Sequence, residues 1–141
     1  MPAFVICEDP EECTEEAKII QKEARYRLKQ ASGIRVFSRP DALKVWMAKN
    51  GVEFEKVKHL ITDAGQIVPG LTLTDDHVEF FAHSPFATHH NDGTFTDRNT
   101  NSLVMQATFE VDGATTKLML AADSTFDVMT EIVNITRAKR N

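Results

Sequence analysis

Cysteine, tryptophan and tyrosine are almost missing from this chain of 141 residues, which has two, one and one of them. Cys7 sits in an apolar run and Cys13 near a predicted helix start, so there is no CxxC pair and no metal-finger spacing. A disulfide scaffold is thereby excluded, and the two thiols read as reduced, in a cytoplasmic setting. A long apolar run is missing too. Nothing approaches the ~20 residues that span a bilayer, and the N-terminus lacks a basic segment followed by an apolar core and cleavage site. The expectation is a soluble, unexported chain with no membrane contact. Excess positive charge is also lacking. Sixteen Lys and Arg against 21 Asp and Glu leave a formal net charge of -5, which offers no electrostatic reason for tight binding to duplex DNA. Several catalytic signatures do not occur: no G-x-S-x-G elbow, no phosphate loop, no G-x-G-x-x-G and no H-E-x-x-H.

What is present fits one domain, residues 1–141, of layered α/β (α+β) character with a mixed sheet flanked by helices. The first part, 1–74, reads as strand, helix, strand, helix. AFVIC (3–7) is a short apolar strand, and Asp9, Pro10 and Glu12 form a helix-start signal. A helix follows with Cys13, Ala17, Ile20, Ala24 and Leu28 on one face, ending near Ala31-Ser32-Gly33. IRVF (34–37) is a second strand, and a second helix runs from Asp41 to Lys49, closed by Asn50-Gly51. VKHLIT (57–62) has strand character, and LTL (71–73) that of an edge strand.

The second part, 75–141, carries the candidate chemistry. VEFFAH (78–83) reads as a strand, and a long loop rich in Asn, Asp and His follows from Ser84 to Thr100. A hairpin comes next, with Leu103, Met105, Ala107, Phe109 and Val111 on one face and a type I′ signal at Asp112-Gly113. Its second strand runs into Asp123, ahead of a helix with Phe126, Met129, Ile132 and Val133 on one side. Asp123 has two readings. A carboxylate at the end of a buried strand is a common place for a metal ligand in α/β enzymes; alternatively Asp123, Ser124 or Thr125 caps the next helix. Partners for a ligand would come from His83, His89, His90, Asp92 and Asp97, whose imidazoles and carboxylates suit zinc or manganese. The bland alternative is a solvated polar loop. His59 and His77 read as surface residues.

The order His83-Ser84-Pro85, Asn99-Thr100-Asn101-Ser102-Leu103-Val104, turn, Ala121-Ala122-Asp123, helix resembles the second half of metallo-β-lactamase-fold proteins. It is most similar to the hydrolase-like domain of ComEC-type DNA-uptake competence proteins, and the resemblance covers about residues 75–135. In that family the corresponding strand ends in Thr-Gly-Asp, and its aspartate bridges two metal ions. The resemblance therefore implies a metal-ligand role for Asp123, with zinc or manganese as cofactor. It implies hydrolysis of phosphodiesters, with nucleic acid or a nucleotide as substrate, by a metal-bound hydroxide.

Two departures stand out. Ala121-Ala122 replaces Thr-Gly, and the family's H-x-H-x-D-H signature and later histidine-bearing strand do not occur in the 141 residues. The chain thus resembles a partial metallo-β-lactamase-like fold, its first part corresponding to an insertion. It is expected not to be competent alone, and to need a missing half-domain, a partner chain or a homodimer to cover its sheet. The alternatives are a non-catalytic interaction or regulatory module and an unrelated small α/β binding protein.

Overall fold

The computed structural model describes residues 14–37, 41–85 and 102–140. The expected 3–7 strand, both cysteines, Asp9, Pro10, Glu12, His89, His90, Asp92 and Asp97 lie outside the described residues. The protein is α+β. Its parallel and antiparallel pairings are held in separate sheets, a two-stranded parallel one and a three-stranded antiparallel one.

Helix α1, Glu15–Lys29, starts later than the Asp9 signal suggests. Thr14 is extended and its side chain accepts the Ala17 N–H at 3.2 Å, so a better-placed hydroxyl takes the cap. The buried face is Gln21, Ala24 and Leu28, while Ile20, expected inward, is exposed. Positions 17, 21, 24 and 28 follow the 3.6-residue repeat more closely than a stripe through 20 does, so an amide rather than an isoleucine faces in.

Strand β1, Val36–Phe37, leads to helix α2, Asp41–Lys49, with the bounds the sequence predicts. Gly51, at φ 66°, turns the chain so that the Val52 N–H reaches the Met47 carbonyl at 2.9 Å. The predicted 57–62 strand is mostly helical. Helix α3, Phe54–Val57, and a 3₁₀ turn, Lys58–Leu60, leave only β2, Ile61–Thr62, which pairs in parallel with β1. The cause is burial: Val57 and Leu60, three apart, both enter the core as a helical turn directs them. Leu28, Val36, Leu43, Met47, Val57 and Leu60 form that core, with Trp46 packed at its border.

The expected 71–73 edge strand is instead the start of α4, Leu73–Asp76, because the Thr72 hydroxyl accepts the Asp75 N–H at 3.1 Å and caps it. The antiparallel sheet follows as a meander: β3, Val78–Ser84; β4, Val104–Val111; β5, Ala114–Leu120. Asp112 and Gly113, at φ 51° and 77°, make the expected type I′ turn. Helix α5, Phe126–Arg140, buries Val128 and Ile132 against Val104. Phe126 is 82% exposed and Val133 is also exposed, so the inward face is 128–132 rather than the predicted 126–133 stripe. Among the described residues no helix is long and apolar enough to cross a membrane.

Candidate functional site

The antiparallel ladder decides which candidate residues can meet. Because β4 is antiparallel to both neighbours, β3 and β5 run in the same direction on either side of it. Ala82, Met105 and Leu120 form one row across the three strands. Beyond that row, at one end of the sheet, lie His83 and Ser84 on one side and Ala121, Ala122 and Asp123 on the other. Their strands are two spacings apart, roughly 10 Å. Ser102 and Leu103, which lead into β4, are at this end too. The sheet thus gathers the carboxyl ends of β3 and β5 and the start of β4 at one edge.

His83 is set by a β-bulge. Ala82 pairs with Met105 and Ser84 with Val104, which leaves His83 as the extra residue without an opposite number. A bulge re-aims the side chain at the irregular position. Here the imidazole meets Phe81 edge-on, with ring centroids 4.8 Å apart and planes at 68°. Its Nε2 is buried with no hydrogen-bond partner, and burial lowers the histidine's pKa below its ordinary value. Burial thus favours the neutral ring, the form in which imidazole can donate a lone pair to a cation.

Ser84 is the residue that locks this end. Its hydroxyl donates to the Ser102 carbonyl at 2.6 Å and accepts the Val104 N–H at 3.2 Å, all of it buried. The H-S-P motif marked the position without disclosing this clamp. A lone serine before a proline at a strand end carries no pattern from which the bond could be read.

Asp123 sits in an exposed turn rather than in the first turn of a helix. The Ser124 N–H returns to the Ala121 carbonyl at 3.1 Å, with Ala122 left-handed at φ 47° between them. Helix α5 begins at Phe126, and the hydroxyl over its first turn is Thr125, which accepts the Val128 N–H at 3.5 Å. Of the three capping candidates, Thr125 fills the role and Asp123 does not. Its carboxylate has no hydrogen bond or ion pair among the described residues. Next to it, the Ser124 Oγ is buried without a partner. The remaining orphaned side-chain atoms, on Gln21, Arg25 and Thr62, belong to the N-terminal layer.

The fit to a metal can be judged on these donors. An unpartnered neutral imidazole and an unspent carboxylate are the right kinds of ligand for zinc or manganese. A metal site needs about three or more protein ligands before water completes it. Among the described residues no group of three or more His, Cys, Asp or Glu could hold an ion. The described donors therefore do not by themselves form a metal site. His59 and His77 are exposed as expected, the first giving its carbonyl to Arg35 Nη1 at 2.8 Å and the second ending α4 at φ 57°.

Elsewhere, a groove of about 420 Å³ lies between α2, α3 and β2, lined by Leu43, Lys44, Met47, Ala48, Val52, Phe54 and Ile61. Its lining is apolar apart from Lys44, so it brings no convergent set of reactive groups. No protein-family model, curated protein or solved structure matches this chain.

Proposed function

We propose that this chain is a divergent relative of the metallo-β-lactamase-fold, metal-dependent hydrolases of the phosphodiester type, carrying an incomplete metal site and not competent alone. The observation that supports it most is that Asp123 is free of the capping role. The order of elements supports it as well: a strand ending in His83-Ser84-Pro85, a hairpin, a strand running to Asp123, then a helix. So does Ala122. Its left-handed φ of 47° is a conformation that glycine adopts without penalty, and the family carries glycine at this position. Asp123 and His83 would be ligands to zinc or manganese, with any further ligands supplied from outside the described residues; His89 and His90 remain candidates. The substrate class is nucleic acid or a nucleotide, and the setting is cytoplasmic. Titration of the purified chain with zinc or manganese tests this. One-site binding that Asp123→Asn removes is expected, and binding that survives the substitution refutes it.

A second reading, a non-catalytic interaction module, is favoured by a different observation. Every residue of β5 is exposed, on both faces of the strand. A module of this kind would keep its full stability in chelator and form a defined complex.

A further inference from the structure

Lys18, Lys22, Arg25 and Lys29 follow one another at steps of four, three and four residues, so they line one face of α1, beside its buried row of Gln21, Ala24 and Leu28. Lys18, at the N-terminal end, is already paired with Glu15 at 2.7 Å. Arg27, on the far side of the helix, is held by Glu23 at 2.7 Å, and Lys56 and Lys58 pair with Glu53 and Glu55. Lys22, Arg25 and Lys29 have no carboxylate partner among the described residues. In a chain whose formal net charge is -5, that row is a local excess of the opposite sign.

The row is built against an aromatic ring of the neighbouring helix. Arg25 Cζ lies 5.7 Å and Lys29 Nζ 5.5 Å from the centroid of Trp46 on α2. Stacking engages a guanidinium through its face and leaves its in-plane N–H groups free for an anion. The Arg25 Nε is buried without a hydrogen-bond partner, and the terminal nitrogens make no hydrogen bond among the described residues. Tyr26, 59% exposed, comes four residues after Lys22 and three before Lys29, so it neighbours both on the helix surface.

We propose that this face of α1, backed by Trp46, binds single-stranded nucleic acid. Lys22, Arg25 and Lys29 spread over two turns, about 10 Å along the helix axis, and do not converge on one point. A linear polyanion meets such a row better than a compact anion does. Tyr26 then discriminates among linear polyanions, because an exposed ring between cations is a platform on which an unpaired base stacks. An acidic peptide carries only the charge, and a duplex keeps its bases stacked within itself. Phosphates take Lys22, Arg25 and Lys29, with the Arg25 donors held in place by the indole, while a base lies on Tyr26. The inference shares its substrate class with the proposed function but rests on residues of α1 and α2 alone.

The test uses the full chain and a short labelled oligothymidylate, read by fluorescence anisotropy across a salt series in chelator. Saturable binding is expected, with a change in the emission of Trp46, the one tryptophan of the chain. The logarithm of the affinity should fall against the logarithm of salt with a slope of about -2, roughly 0.7 for each of three neutralised phosphates. Lys22→Gln should make that slope shallower by about 0.7. Tyr26→Ala should weaken binding about tenfold at unchanged slope, with Tyr26→Phe restoring it. Both side chains are exposed, so circular-dichroism melts of the variants should match that of the natural sequence. No binding, an affinity and slope untouched by Lys22→Gln and Tyr26→Ala, or equal affinity for polyglutamate or for a duplex of the same length overturns the inference. Chelator keeps the outcomes separate from the metal reading: a chain that binds zinc in its own titration and fails to bind the oligonucleotide here overturns this inference alone.

Discussion

The hydroxyl of Ser84 and the backbone of Val104 are joined across the end of the sheet, Ser84 accepting the Val104 N–H at 3.2 Å while donating to the carbonyl of Ser102. This pair of bonds closes the ladder where the bulge at His83 interrupts it, and so fixes the end of the sheet that carries His83. Ser84→Ala removes the hydroxyl that serves both bonds and leaves a buried N–H and C=O unsatisfied. A loss of about 2–3 kcal/mol is expected, measured as a fall in the urea midpoint at unchanged slope.

Ala122 holds a left-handed φ of 47° in the turn before Asp123. The left-handed region costs an alanine roughly 1–2 kcal/mol, and glycine recovers it less the entropy it loses on folding, about 0.4–1 kcal/mol. Ala122→Gly should therefore stabilise the protein by about 0.5–1 kcal/mol. Ala31, at φ 52° after α1, is in the same state, and Ala31→Gly should act in the same direction. Thermal melts of the two single variants and the double variant check both.

Burial lowers the pKa of His83 in the folded protein. The unfolded chain then binds the proton first as pH falls. Stability is unaffected above the ordinary histidine pKa of about 6.5, and it declines as pH falls below that until the folded-state pKa is reached. His83→Gln should flatten that part of the stability profile, with chemical denaturation across mildly acidic pH as the measurement.

Asp123 and Thr125 should separate in a stability assay. Thr125→Ala removes the acceptor over the first turn of α5 and should cost about 1 kcal/mol. Asp123→Asn touches an exposed side chain with no partner among the described residues, so a change within about 0.5 kcal/mol is expected.

Strong local signals carried through from sequence to structure. Helix α2 with its Asn50-Gly51 stop, the Asp112-Gly113 hairpin and the α+β class all rest on turn chemistry or periodicity confined to a few residues. Where two local signals competed, sequence reasoning went astray. The Asp9-Pro10-Glu12 signal drew attention away from Thr14, which caps α1, β-branched residues in VKHLIT hid a helical turn, and LTL read as a strand although Thr72 caps a helix. At the site, Asp123 was visible as a carboxylate after a strand, but its freedom from capping was not, since adjacent Ser124 and Thr125 are equally good caps in sequence. The bulge at His83 and the clamp at Ser84 depend on pairing between residues some twenty positions apart, and no local pattern encodes that.

Under the proposed function, Asp123 stands as a metal ligand at the shared end of β3 and β5. Calorimetric titration with zinc, on the natural chain and on Asp123→Asn, tests it most directly. One-site binding in the natural chain, lost in Asp123→Asn while the melting temperature holds, is the predicted result; equal zinc affinity in the two proteins, or no binding by either, would contradict the account.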